Sequence, residues 1–263
     1  MKHLLNPLIE HAACRAFGVD QYPDVFERIA MGGRRSPIVQ RLFSHKVSAD
    51  IRSHKLLFIH IPKNGGTSIK RVLYRDDPGH ATVRFYDVFG AEVLCSSASF
   101  ALLRDPVDRF LSAFDFLQQG GGSDVTVRPA ALRRLAGIDT IDAFLDYLEA
   151  IRGNWFKVDT VARPQWWYVA DRDGTIRVGK FWLLGEHNAA INRFLASYNA
   201  PAIGHVNRTA RSQRQLTAGQ TQRVESLYAP DFELYAQVRR QPGIGGMELQ
   251  RVLPSGMRLV PQL

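Results

Sequence analysis

Cysteine is nearly absent from this chain of 263 residues, which holds only Cys14 and Cys95. That excludes a disulfide framework and any CxxC metal ribbon. No apolar run approaches the roughly 18 residues that a membrane-spanning helix needs. The first twenty residues break their apolar steps with Lys2, His3, Glu10, His11 and Arg15. They have neither the apolar stretch nor the cleavage-like end of a secretory leader, so the cytoplasm is the expected compartment. The histidines lack ligand spacing, and no metal site is expected. Acid is scarce relative to base, with Asp+Glu 25 against Lys+Arg 34 and a net charge of +9. Such a surplus suits a nucleotide, a nucleic acid, an acidic glycan or an acidic surface, and equally a plain Arg-rich exterior. No internal repeat is visible.

Hydrophobic residues make up 45% and charged residues 22%, an ordinary globular composition long enough to bury a full core. No linker is long enough to divide the chain, so residues 1–263 read as a single domain. Within it, 1–50 form a polar helical lead-in broken at Gly32-Gly33, and 241–263 form an irregular Gly- and Pro-containing tail. Lys55-Leu-Leu-Phe-Ile-His-Ile61 and Ser99-Phe-Ala-Leu-Leu-Arg104 are short, continuously apolar runs, as in strands buried on both faces of a parallel sheet. Each leads into a helical pattern, Thr67 to Tyr74 and Val107 to Gln118, the second with Asp105 at the N-cap and Pro106 at the first position. Gly120 to Ser123 reads as a flexible loop. Thr140 is placed to cap a helix bearing Phe144, Leu145 and Leu148 on one stripe. Trp166 to Val169 and Thr175 to Val178 read as a hairpin around Asp171-Arg-Asp-Gly174. Helices are expected over Glu186 to Ser197 and Thr217 to Tyr228, with Asp231 capping a last one after Pro230. Strand–helix alternation of this kind means an α/β fold with a mostly parallel sheet.

The strongest chemical signal is Ile61-Pro-Lys-Asn-Gly-Gly-Thr-Ser68, set between a buried strand and a helix. Gly65 and Gly66 allow a tight turn that leaves backbone N–H groups facing inward. Lys63 adds a full charge, Thr67 and Ser68 add hydroxyls, and the helix start adds partial positive charge, so together they suit a phosphate. This is not a Walker A loop, because Lys63 precedes the glycines instead of standing just before the Ser/Thr. The segment resembles the 5′-phosphosulfate loop of sulfotransferases that use 3′-phosphoadenosine 5′-phosphosulfate (PAPS), especially bacterial and Golgi carbohydrate-type members. Phe100-Ala-Leu-Leu-Arg-Asp-Pro-Val-Asp-Arg-Phe-Leu-Ser112 resembles the same family's 3′-phosphate motif, which puts Arg104 and Ser112 on that phosphate. An Arg at a strand's carboxyl end, facing the ligand crevice, is sound chemistry for a phosphate dianion. Asp105 stands where bacterial members commonly carry Asn, and the capping role survives the change. Arg109 is expected to pair with Asp105 four residues earlier.

The resemblance extends more loosely over residues 50–240, through Arg163-Pro-Gln165, Gly185-Glu186 and His205-Val-Asn-Arg-Thr-Ala-Arg211. It implies a P-loop NTPase-like three-layer sandwich with helices on both faces of a central, mostly parallel sheet. It implies sulfuryl transfer from PAPS to an acceptor hydroxyl, on a carbohydrate by analogy with glycan-modifying members, without a metal. Cofactor contacts fall on Lys63, Asn64, Gly65, Gly66, Thr67, Ser68, Arg104, Ser112, Thr209 and Arg211. Lys63 is also placed to neutralise the leaving phosphate oxygen. Displacement at sulfur needs a base titrating near neutrality. His80 in Gly79-His-Ala-Thr82 stands where carbohydrate-type members carry such a residue; His60, Glu92, His205 and other carboxylates are the competitors. Trp155, Trp166, Trp167 and Tyr168 are either a substrate platform or core, with core favoured. The alternative function is a small-molecule kinase with a degenerate P-loop. That would need Mg²⁺ and a carboxylate at a strand end, where this chain has Arg104. A nucleic-acid-binding role finds no recognition motif.

Overall fold

The computed structural model describes residues 7–32, 47–75, 78–122, 126–127, 129–151, 153–204 and 214–252. The lead-in supplies helices α1 (Pro7–Phe17), α2 (Tyr22–Met31) and α3 (Ala49–His54). Strand β1 (Leu56–Ile59) then enters α4 (Gly66–Leu73), followed by α5 (Val83–Phe89) and α6 (Ala91–Ser96). Strand β2 (Ala98–Leu103) leads into α7 (Pro106–Gln118), with α8 (Pro129–Arg134) and α9 (Ile141–Ala150) after it. Short helix α10 (Trp166–Val169) precedes β3 (Lys180–Leu183). The chain closes with α11 (Asn188–Ala196), α12 (Ala218–Leu227), α13 (Ala229–Arg240) and α14 (Gly246–Val252).

The three strands form a parallel sheet in the order β1-β2-β3, with Phe58 opposite Phe100 and Leu102 opposite Trp182. The side chains of β1 are buried throughout, as are those of β2 beyond Ala98, so the apolar runs reflect helical cover. Both outer strands have their backbone groups met locally. The Tyr74 hydroxyl accepts from Phe58 N at 2.8 Å and donates to Leu56 O at 3.0 Å on β1. On the β3 side, Gly243 N donates to Phe181 O, Phe181 N to Ile244 O and Gly246 N to Val178 O. A Cβ at Gly246 would stand 2.5 Å from Val178 O, so only glycine lets this segment lie against the strand. An edge covered in this way cannot template pairing with another chain.

Three expectations need correction. Trp166–Val169 is a helical turn and not a hairpin arm, because buried Asp231 accepts the N–H groups of Gln165 and Trp166 at its start. One antiparallel bridge, Ala170 to Ile176, remains of the hairpin. Asp231 is thereby engaged elsewhere and does not cap α13, which begins two residues before it with Pro230 in its first turn. The segment from Gln241 is not wholly irregular: it covers the β3 edge and forms α14. Strand β3 itself went unread, because Phe181-Trp-Leu is too short a run to stand out. The sequence expectations for α7 and α9 match the elements found, with Asp105 accepting from Val107 N and Asp108 N and Thr140 from Ala143 N. The four aromatics are core, each 5% exposed or less.

Candidate active site

The chain leaves β1 through buried His60, Ile61 and Pro62. It then turns at two left-handed residues, Lys63 (φ 66°) and Gly65 (φ 66°), before α4 begins at Gly66. A lysine in that region is costly unless its surroundings hold it, and here two arginines do. Arg104 donates to Lys63 O at 3.2 Å, and Arg109 Nε donates to Pro62 O at 3.1 Å. Arg109 is buried and also reaches Val161 O. The expected pair with Asp105 is absent from its contacts, because the loop carbonyls use its guanidinium and the helix start uses the aspartate.

The loop and the end of β2 are joined through two buried amides. Asn64 Nδ2 donates to Leu102 O and to Gln165 Oε1, both at 2.7 Å. Gln165 Oε1 also accepts from Arg104 N at 3.0 Å, and its Nε2 donates to Arg104 O at 2.9 Å. Gln165 thus fixes the backbone of Arg104 to the residue between Lys63 and Gly65. Sequence reading named it only within the segment Arg163-Pro-Gln165 and gave it no role, yet a glutamine leading an apolar Trp-Trp-Tyr-Val run must find partners if buried. Asn64 donates to the sheet and to Gln165, while Thr67 is exposed and Ser68 half-buried at the start of α4. Ser112 lies half-buried on α7, the helix that follows Arg104. Thr209, Arg211 and His205 lie outside the described residues.

The Lys63 ammonium sits 4.4 Å from the centre of the Phe116 ring. Burial, reinforced by the charges of Arg104 and Arg109, lowers its pKa to about 8. The loop therefore gathers the charges of Lys63, Arg104 and Arg109, with Asp115 acting on Lys63 in the opposite sense, and such a gathering of positive charge suits a phosphate or sulfate.

Two histidines lie beside it, His60 and His80, their rings tilted at 44° with centres 4.3 Å apart. His60 is buried, and its ring lies so close over Gly66 that a Cβ there would stand 2.2 Å from Cδ2. Burial, aided by His80 and Lys70, holds its pKa well below the usual value of 6.5. His80 is exposed, with Nδ1 3.0 Å from His60 O. A carbonyl can only accept, so that contact places a proton on Nδ1. Glu92, another competitor for the base, is exposed on α6, away from this pair in the chain.

His80 opens onto a cleft of about 440 Å³ whose far wall is α2, with Tyr22, Phe26 and Glu27 facing it. Sequence reading gave the lead-in no part in the site. Two buried ion pairs bind α2 to the rest. Arg163 Nη1 and Nη2 donate to the two Asp24 oxygens at 2.7 and 2.6 Å, and Arg84 Nε donates to Glu27 Oε1 at 2.5 Å. Arg84 continues to Ala170 O and Trp167 O. Among the described residues, no group of three or more His, Cys, Asp or Glu is placed to hold a metal ion, and no helix is long and apolar enough to cross a membrane.

A family model described as "Sulfotransferase family" matches residues 50–236, a span covering β1, β2, β3 and the loop. No curated protein and no solved structure matches the chain.

Proposed function

The chain belongs to the sulfotransferase family, and from that premise we propose that it moves a sulfuryl group from PAPS to an acceptor hydroxyl, with His80 as the base. The donor supplies the sulfuryl group and departs as adenosine 3′,5′-bisphosphate. The acceptor oxygen forms the new O–S bond, the bond from sulfur to the 5′-phosphate oxygen breaks, and the acceptor proton passes to His80 Nε2. The observation that carries this reading is the junction of the two anion sites: Arg104 is hydrogen-bonded to the carbonyl of Lys63 and tied through Gln165 to Asn64. A ligand with phosphates at both ends of a ribose would meet both. The residues suit such a group. Two left-handed positions turn the backbone towards it, and Lys63 and Arg104 answer its charge. In this reading Lys63, Gly65, Gly66, Thr67 and Ser68 hold the 5′ end and Arg104 with Ser112 the 3′-phosphate, while Asn64 acts as a brace. Lys63 also steadies the charge on the departing oxygen. The fold in this reading is of the P-loop type.

The test is calorimetric. Adenosine 3′,5′-bisphosphate is expected to bind and to raise the thermal midpoint without added metal, by mass action on the native state. ATP with Mg²⁺ is expected to do less, since it offers Arg104 no 3′-phosphate. Preference for ATP with Mg²⁺, or no binding of the bisphosphate, sinks the proposal.

A further inference from the structure

Strands β1 and β2 pair as far as Ile59 and Ala101, and both anion sites lie beyond that point, at Lys63 and at Arg104. Strand pairing therefore does not set how far apart the two sites stand. Two guanidinium groups cross the gap. Arg109 holds Pro62 O, ahead of the turn, and Arg104 reaches Lys63 O at 3.2 Å with the same group that is assigned above to a phosphate. The link that joins the loop to the backbone of Arg104 without using a cation is the amide of Gln165.

Gln165 is fully buried and Asn64 is 1% exposed. Their partners fix which way each amide points. A main-chain N–H can only donate and a carbonyl can only accept, so Gln165 Oε1 faces Arg104 N at 3.0 Å and Nε2 faces Arg104 O at 2.9 Å. Oε1 then also accepts from Asn64 Nδ2, which donates to Leu102 O as well. Asn64 Oδ1 meets no donor among the described residues. A pair kept for stability alone would not leave that buried acceptor unserved. Beneath the amide, Asp231 on α13 accepts from Gln165 N at 2.7 Å and from Trp166 N at 2.9 Å. One residue thus gathers segments 101, 61 and 66 residues distant in the chain.

Resting on the PAPS reading above, we propose that Gln165 is a positioning residue that sets the spacing between the loop and Arg104, and thereby selects a ligand bearing both phosphates over one bearing either. Buried as it is, it acts through Asn64 and the backbone of Arg104 and not on the ligand. With the two sites held at one spacing, the second phosphate is seated without a further loss of translational and rotational freedom, the advantage of any preorganised pair. Once the spacing is loosened that advantage goes, while each site alone still takes a phosphate.

Titration calorimetry on the full-length protein with three ligands tests this: adenosine 3′,5′-bisphosphate, adenosine 5′-phosphate and adenosine 3′-phosphate. Gln165→Met is expected to weaken the bisphosphate at least tenfold and each monophosphate less than threefold. A variant that merely spends part of its time misfolded loses all three by one common factor, since apparent affinity scales with the competent fraction. Should Gln165→Met fail to fold, Asn64→Ser shortens the brace from the loop side, leaves the bonds between Gln165 and Arg104 in place, and is expected to give the same pattern. Equal losses for the three ligands, or a bisphosphate affinity that falls no further than those of the monophosphates, overturn the proposal. Failure of the native protein to bind the bisphosphate strikes first at the donor reading and takes this assignment down with it.

Discussion

Lys63 keeps its proton less firmly than a lysine in water, because burial and the neighbouring charges of Arg104 and Arg109 bring its pKa to about 8. The protonated form is the one that attracts phosphate. Affinity for adenosine 3′,5′-bisphosphate should therefore hold below that pKa and fall as pH rises through about 8, and Lys63→Arg should flatten the curve; calorimetry from pH 6.5 to 9.5 checks both. Arg104→Ala should cost about 1.5–3 kcal/mol of bisphosphate binding, the range for a charge-assisted hydrogen bond. Adenosine 5′-phosphate, lacking the 3′ group, should barely register the change; equal losses for both ligands would make the arginine structural, through its bond to Lys63 O. His80→Ala should lower turnover by about 10²–10⁴ and leave bisphosphate affinity intact; a loss within threefold would move the base to His60 or a carboxylate. That Lys63 and Arg104 would lie together was legible from two local motifs, and His80 was picked out by the family resemblance; their roles are proposals. The bonds of Gln165 and Arg109 were not legible. Their partners lie 47 to 101 residues away, and no local spacing encodes a bond across the sheet.

Among the elements, α2 carries the most exposed wager. Its Asp24 and Glu27 fall on one face of the helix and enter the core only because Arg163 and Arg84 meet them there. Removing one member leaves a buried charge without a counterpart, at a typical cost of about 3–5 kcal/mol. Asp24→Ala should thus lose stability on that scale in chemical denaturation, well beyond a surface change such as Glu248→Ala on α14. From sequence, α2 read as a polar lead-in, since two acids on a short helix ordinarily face water. β1 and β2 with their following helices were readable, because unbroken apolar runs ending at Gly-rich or Asp-Pro turns leave few alternatives. β3 and α10 were not, because continuous burial erases the difference between period 2 and period 3.6, and only the positions of Asp231 and of the chain near Gly246 decide between them.

Across the whole molecule, two buried groups oppose each other in acid. Burial raises the Asp231 carboxyl from 3.8 to about 6. Between those values the unfolded chain has released a proton that the folded one retains, so stability falls as pH rises from about 4 to about 6. His60 acts in the other direction. Its folded pKa lies well below 6.5, so below that pH the unfolded chain binds a proton the folded one refuses, and stability is lost as pH falls. Thermal unfolding from pH 4 to 7 should show the midpoint rising more steeply with pH in Asp231→Asn than in the native sequence, and less steeply in His60→Gln.

The family span begins at residue 50, while the helix that walls the cleft ends at Met31. One wall of the cleft therefore stands outside the family span and can be rewritten as a paragraph of its own, while the opposite wall, with Thr82, Phe85 and Phe116, lies within that span. The rewriting has grammar. Whatever helix is transplanted in place of α2 must carry two acids three positions apart, as Asp24 and Glu27 are, or Arg163 and Arg84 will be stranded inside. Val25 and Phe26, between those two fixed letters, are packed in the core, whereas Tyr22 just before them is half-buried at the cleft. Substitution at position 22, with the acids held constant, is therefore expected to reshape the cleft wall without loosening the helix.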